Sequence, residues 1–369
     1  MQAHGSRPTA ARPTRRRDRR RAATAFVAMM TLAVALALAG VAHGPAQARE
    51  LVVQSVFPAG LVFLSDSEAQ VARRTAAVSG GALTLHFVGA GAMVRGEDLY
   101  DAIKDGRVEA GWDWLGYRAD RIPLAGVIAS WPYGPTPVQM AAWLYGGDGA
   151  ALIARAYAAE GLMALPCHMV VSEAGGWFLR EINSIEDFRG LRMRIAGLGA
   201  RILERLGGIP SQEPVDGLYD ALANGRLDAV EFSAPMADLS LGFERFARYY
   251  YFPGWHQPSS INVLTMRLDT WNGLTETERA VLNTVCEANV LWSMATGLQP
   301  QGRALDTFRA QGVEVRRFSY PVLKRLQTVA AEVLAEEARR DPLVEEAVRS
   351  MTAFTTTLQR WESLQHLPP

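Results

Sequence analysis

Leu99-Tyr-Asp-Ala-Ile-Lys-Asp-Gly-Arg-Val-Glu-Ala-Gly111 recurs in the second half of the chain as Leu218-Tyr-Asp-Ala-Leu-Ala-Asn-Gly-Arg-Leu-Asp-Ala-Val230. Each copy predicts a short helix stopped by a C-terminal glycine, Gly106 or Gly225, and then a buried strand. Two copies this far apart are too few for a solenoid. They predict two lobes, each built on the same supersecondary unit.

Outward from each copy the pattern is α/β. In the first half, Leu51–Phe57 predicts a strand, 67–78 a helix and Leu83–Val88 a second strand. In the second half, Leu191–Ile195 predicts a strand leading into a helix over 200–206, and Leu227–Phe232 another strand. Strand-helix alternation implies mainly parallel sheets with helices on both faces. Ligands of such sheets sit beyond the carboxyl ends of the strands, which puts Asp113-Trp114 and Glu231-Phe232 at a cleft between lobes. After Thr270 the chain turns helical: 275–295, 300–311, and 321 to about 364 with a break near Asp341-Pro342. The last segment carries Leu326, Val329, Val333 and Leu334 on one face, for packing across both lobes or for a partner, including a second copy of the chain.

The N-terminus stands apart from this fold. Eight arginines between Arg7 and Arg21 precede an apolar run over 22–41, and Ala46-Gln47-Ala48 supplies a small-x-small cleavage pattern. Residues 1–48 are therefore expected to be an export signal cut after Ala48, with a retained anchor as the alternative. The leader takes 8 basic residues and 1 acidic from totals of 38 each, so the remainder holds 30 against 37, net −7. A mildly acidic chain argues against nucleic acid or an anionic membrane surface as partner. Residues 49–170 are expected to form mainly the first lobe, 171–270 mainly the second, and 271–369 a helical region across both. Cys167 and Cys286 are the only cysteines. Export permits a disulfide, but two cysteines this far apart make no framework, and the expectation is two separate buried thiols. The six histidines are scattered, with no pair at helical ligand spacing.

No enzyme signature is present: no GxSxG, no P-loop, no HExxH. Gly197-Leu-Gly199 opens a helix after a strand but lacks the third glycine of a dinucleotide turn; free N–H groups there suit an anion. Arg194 lies in Arg192-Met-Arg-Ile195, where strand alternation sets Arg192 and Arg194 on one face. It is either a surface charge or, at the end of an inner strand, a bidentate grip for a carboxylate. Glu231 follows the apolar stretch 227–230 and is either ion-paired or holds a cation.

Four stretches, Gly175-Gly-Trp-Phe178, Arg189-Gly-Leu-Arg-Met-Arg-Ile195, Asp228-Ala-Val-Glu-Phe232 and Tyr249-Tyr-Tyr-Phe-Pro-Gly-Trp-His256, carry a family resemblance. In this order they resemble the extracytoplasmic solute receptors of TRAP transporters, in the branch that binds 2-oxo acids together with a metal ion. The resemblance runs from about Leu51 to Phe354. It implies an α/β, periplasmic-binding-protein-like two-lobed fold with long C-terminal helices. It also implies that Arg194 binds the substrate carboxylate and that Glu173 contacts substrate and metal. The metal, sodium or calcium, would be held further by Glu231, the backbone carbonyl of Phe232 and Gln257. The family pattern has glutamine where this chain has Glu173, tryptophan at Phe232 and glutamate at Gln257. The first-lobe wall departs more, reading Trp112-Asp-Trp-Leu-Gly-Tyr117, with Trp114 and the Tyr117 hydroxyl as candidate ligand contacts; core packing is the other reading of Tyr117.

The resulting expectation is a non-enzymatic periplasmic receptor that captures a 2-oxo or 2-hydroxy monocarboxylate and passes it to TRAP membrane permease subunits. A ligand sensor of the same fold feeding a signalling protein is the alternative, and a periplasmic enzyme comes third.

Overall fold

The computed structural model describes residues 1–2 and 48–365. The expected export signal therefore lies, but for its ends, outside the described residues. From Arg49 onward the chain forms one compact unit. Its strands, in chain order, are β1 (Arg49–Ser55), β2 (Leu83–Val88), β3 (Ala110–Trp114), β4 (Leu162–Val170), β5 (Gly176–Phe178), β6 (Arg192–Arg194), β7 (Ile209–Ser211), β8 (Ala229–Val230), β9 (Tyr249–Phe252), β10 (Ser260–Arg267) and β11 (Glu314–Arg317).

The two echoed units are superposable in their chemistry. Helix Leu99–Lys104 and helix Leu218–Ala223 both end on glycines with positive φ, 75° at Gly106 and 64° at Gly225. In the first, the amides of Arg107 and Val108 reach back to the Ala102 carbonyl; in the second, Arg226 and Leu227 do the same to Ala221. This closure satisfies the last helix carbonyls and turns the chain straight into a strand. That strand is the third of five in one sheet, ordered β2-β1-β3-β10-β4. In the other sheet, ordered β11-β9-β5-β8-β6-β7, it is also interior. Trp114 and Glu231 therefore stand at the carboxyl ends of two inner strands.

The sheets are more mixed than strand-helix alternation predicts. β1–β2, β1–β3, β6–β7, β6–β8 and β9–β11 are parallel, but β10 runs antiparallel to both β3 and β4, and β5 antiparallel to β8 and β9. The cause is connectivity. β4 leads out of the first sheet into β5, and β9 leads back into β10, so outgoing and returning segments lie side by side in opposite senses. β10, inside the stretch expected to be mainly second lobe, belongs to the first sheet, and β11 from the C-terminal region closes the edge of the second.

The helices expected over 275–295 and 300–311 are one continuous helix, Glu276–Ala310, with Pro300 inside it. A proline there removes one backbone bond and crowds the preceding turn. Burial at both ends outweighs that penalty: Val281, Leu282, Val285 and Val290 enter the large core, while Ala304 and Phe308 enter the second lobe's own cluster. Helix Tyr320–Arg340 then returns to touch helix Gly197–Arg205 of the second lobe and helix Pro123–Ala129 of the first. Helix Pro342–Glu362 packs on first-lobe helices, capped by Asp341, whose carboxylate accepts from the amides of Leu343 and Val344.

The expectation of two separate thiols is wrong: Cys167 and Cys286 form a disulfide, with their Cα atoms 4.1 Å apart. Distance along the chain misled because the long helix lies directly against β4, so residues 119 apart in sequence become neighbours. The bridge closes a long loop, and reduction should lower the stability measured by chemical denaturation by about 2–4 kcal/mol. A Cys167→Ala/Cys286→Ala variant should show the same loss and no further response to reductant.

Candidate functional site

The chain crosses between the sheets at 171–175 and again at 253–259, and both crossings carry polar side chains into the interior. The crossings are stitched together: the Gly254 amide donates to the Glu173 carbonyl at 3.1 Å and the Gly175 amide to the Tyr251 carbonyl at 2.7 Å. Glu173 comes from the first crossing, and His256 and Gln257 from the second. Arg194 from the end of β6 and Glu231 just past β8 complete the group, and all five are buried.

Arg194, only 5% exposed, donates through Nη1 to the Glu231 carbonyl at 2.5 Å and to Glu231 Oε2 at 3.4 Å. Its guanidinium lies over the Phe232 ring, 5.5 Å from the centroid, a favourable placement for a cation. Arg192 is differently engaged: it is half exposed and holds Asp228 through both guanidinium branches. Arginines at alternate positions thus have separate tasks, one pinning β6 to the Asp228 loop and one facing the interior.

His256 Nε2 sits between two carboxylates, 3.3 Å from Glu231 Oε1 and 3.6 Å from Glu173 Oε2. Ligand atoms of these three residues all lie within 4.8 Å of one another. Burial disfavours the charge on His256, but Glu231 and Glu173 outweigh it and push the imidazole up to about 9. Burial also pushes on Glu231; His256, Arg194 and the Ala196 N–H overcome it and hold this carboxyl below its ordinary value. Glu173 goes the other way, raised to about 7, chiefly by burial. Its Oε2 has no hydrogen-bond partner. Two buried carboxylates require positive charge beside them, which the raised imidazole of His256 and the guanidinium of Arg194 supply within the chain.

Glu173, Arg194, Glu231 and Gln257 line one wall of a small cavity of about 40 Å³, with His256 behind them. Trp114, Tyr117 and Asn262 face them from the first lobe. Trp114 is fixed by its indole N–H, which donates to Ser260 Oγ at 2.6 Å, and by edge-on contact with Tyr117 at 4.9 Å. Burial raises the Tyr117 phenol, so its hydroxyl remains protonated and able to donate. Gly197 has φ 59° and no room for a side chain, since a Cβ there would lie 2.5 Å from Ser130 of the first lobe. The start of helix Gly197–Arg205 thus abuts the first lobe directly, and the Ala196 N–H just before it donates to the Glu231 carboxylate.

All the candidate residues, Arg194, Glu173, Glu231, Phe232, Gln257, Trp114 and Tyr117, line this one cavity. Asp113 does not: its carboxylate is bound by Arg118, with Nε at 2.5 Å, in a buried pair away from the cleft. Sequence reasoning did not single out His256 or Asn262. The first could have been found as the neighbour of Gln257. The second could have been found as the one side-chain amide on β10.

The fold and this site define a two-lobed receptor for a small solute. Residues 66–341 match the model of the bacterial extracellular solute-binding proteins, family 7, and the chain belongs to that family. It is 31% identical, over 80% of its own length and 82% of the relative's, to the monocarboxylate 2-oxoacid-binding periplasmic protein of Nostoc sp. (strain PCC 7120 / SAG 25.82 / UTEX 2576). It resembles the TRAP periplasmic solute-binding protein of Colwellia psychrerythraea, solved with calcium and pyruvate, at TM-score 0.82 and 26% identity, covering 86% of this chain and 97% of that one. The corresponding protein of Pseudoalteromonas atlantica T6c, solved with sodium and pyruvate, matches at TM-score 0.82 and 25% identity, with the same coverage of 86% and 97%. Family and fold neighbours are binding proteins rather than enzymes.

A charged His256 stabilises the fold fully below its unfolded value of 6.5, and this contribution is lost as pH rises through about 9. In chelator-treated protein without ligand, the melting temperature should therefore fall between pH 6.5 and 9.5. His256→Gln should lower stability at pH 6.5 and flatten that decline, as followed by circular dichroism.

Proposed function

We propose that this protein captures a 2-oxo monocarboxylate together with one hard cation, sodium or calcium, and delivers it to TRAP membrane permease subunits. The observation that carries this reading is the buried Arg194 beside the Glu173–Glu231–His256 cluster at a small cavity lined from both lobes. Among the described hydrogen bonds only Nη1 of Arg194 is engaged, both times with Glu231. The other edge of the guanidinium is thus left for a carboxylate, to which two parallel N–H groups fit. A 2-oxo acid adds a second oxygen next to its carboxylate, which suits chelation of the same cation.

The donor set fits such an ion. Glu173 Oε2 is buried without a partner, and a carboxylate oxygen in that condition gains most from a cation. Glu231 would be the second anionic ligand, and Gln257 and the Phe232 carbonyl would add neutral oxygens, a set typical of hard cations. Relative to the family pattern, glutamate and glutamine have changed places between positions 173 and 257, so the formal charge around the ion is conserved. The bound cation would supply charge for the acid's oxygens, and this chain's residues hold and orient both. Trp114 and Tyr117 form the opposing wall, the tyrosine hydroxyl donating to the ligand. In this reading the leader is removed after Ala48, the mature protein works in the periplasm, and residues 49–170 with β10 form one side of the cleft and residues 171–259 the other.

Two measurements test it. Arg194→Lys should keep the native circular dichroism spectrum while weakening pyruvate binding by about 1.5–3 kcal/mol in calorimetry, because lysine offers one point charge in place of a fork. Unchanged affinity would remove Arg194 from the site. Dialysis against a chelator should weaken pyruvate binding, and calcium or sodium should restore it; equal affinity with and without chelator would show that the cation plays no part.

A further inference from the structure

Asn262 carries a hydrogen-bonding demand that no group among the described residues meets. Its side chain is fully buried, and neither Oδ1 nor Nδ2 has a partner, although a buried amide ordinarily fills most of its bonding capacity. It lines the ligand cavity. It sits on β10 in register with Trp114 on β3 and His168 on β4, and the β10–β4 ladder is irregular between Asn262 and Val263. Such irregularities re-aim a side chain and are frequent beside functional sites.

Among the described residues no neighbour is hydrogen-bonded to it. The Trp114 indole N–H is taken by Ser260. Asn289 Nδ2 donates to Ser67 Oγ and to the Cys167 carbonyl, each at 2.7 Å, and Ser67 Oγ shares a hydrogen bond of 2.8 Å with His168 Nδ1. That chain leaves His168 Nε2 and Asn289 Oδ1 themselves without partners, and neither is hydrogen-bonded to Asn262. The groups that would take the carboxylate and cation, Arg194, Glu173 and Glu231, stand on the second lobe and the crossings. Asn262 belongs to the first-lobe sheet, so it faces another part of the ligand.

We propose that Asn262 is a specificity-determining residue that receives a hydroxyl on the ligand's tail, so that the preferred solute is a hydroxylated 2-oxo acid rather than a simple alkyl one. This inference rests on the 2-oxo-acid reading above. A hydroxyl matches an amide on both counts, accepting from Nδ2 and donating to Oδ1. A methyl group in the same place strips both amide atoms of water and returns nothing. Sites built around a buried polar group reject analogues that lack its partner far more strongly than apolar pockets reject an extra methylene.

The test is calorimetric titration of hydroxypyruvate and of pyruvate into the cation-loaded protein and into Asn262→Leu. The native protein is expected to bind hydroxypyruvate about tenfold tighter or more, and Asn262→Leu to abolish or invert that preference while still binding pyruvate. Equal affinities in the native protein, or a preference that survives Asn262→Leu, overturn this assignment and leave the 2-oxo-acid reading standing. The native ratio decides even if the variant fails to fold. Binding of neither acid overturns the underlying reading and this inference with it.

Discussion

Glu173 and Glu231, held around one imidazole out of contact with water, are the constraint on which the rest of the structure turns. Two ionised carboxylates at such range in a low-dielectric interior cannot both remain unless positive charge is supplied. His256 and Arg194 supply it within the chain. The directions of the pKa shifts express the same balance, with the imidazole raised, Glu231 lowered and Glu173 raised. Removing any member leaves another buried charge uncompensated. The two crossing segments must therefore keep their relative position for the interior to remain tolerable.

That requirement gives a reason for features remote from the cleft. The crossings run antiparallel and bond to each other through backbone groups. The long helix Glu276–Ala310 spans both hydrophobic clusters and is tied to β4, the strand leading into the first crossing, by the Cys167–Cys286 bridge. Helix Tyr320–Arg340 touches both lobes, and Tyr133 of the first lobe donates to the Leu323 carbonyl at 2.6 Å. Ion pairs between Arg201 and Glu337, and between Arg205 and Glu336, fasten the same helix to the second lobe. Exposed pairs contribute little singly, so apolar burial along these helices sets the geometry within which the charged site is assembled.

Much of this was legible in the residues. The repeated Leu-Tyr-Asp-Ala unit and its glycines announced two equivalent helix–strand modules, because a positive-φ cap is a local demand that sequence states openly. Arg194 and Glu231 could be nominated because each ends or follows an inner strand. What sequence could not show was how the crossings bring position 173 beside position 256, or the long helix beside Cys167. These are long-range contacts set by packing. Pro300 misled for a related reason: the local preference to break a helix is real, but burial on both sides of it is larger. Asp113 misled because alternation assigns a residue to a strand end without saying which charged neighbour claims it, and Arg118 lies only a turn away.

The same geometry explains why a receptor of this kind should bind by closing. The cavity is small, its polar groups are buried, and the first lobe touches the second at Ser130 and Gly197. Arg194 is buried beneath those contacts, so a receptor that opens and closes between the lobes would admit a solute in one state and hold it in the other. A ligand shifts that equilibrium only by its difference in affinity for the two states. Contacts confined to Arg194 and Glu231 would exist in both states and drive nothing. Contacts that join this cationic wall to Trp114, Tyr117 and Asn262 exist only after closure. Selectivity and closure would then be one property, since an acid that leaves the first-lobe wall unsatisfied would gain nothing from the closed form.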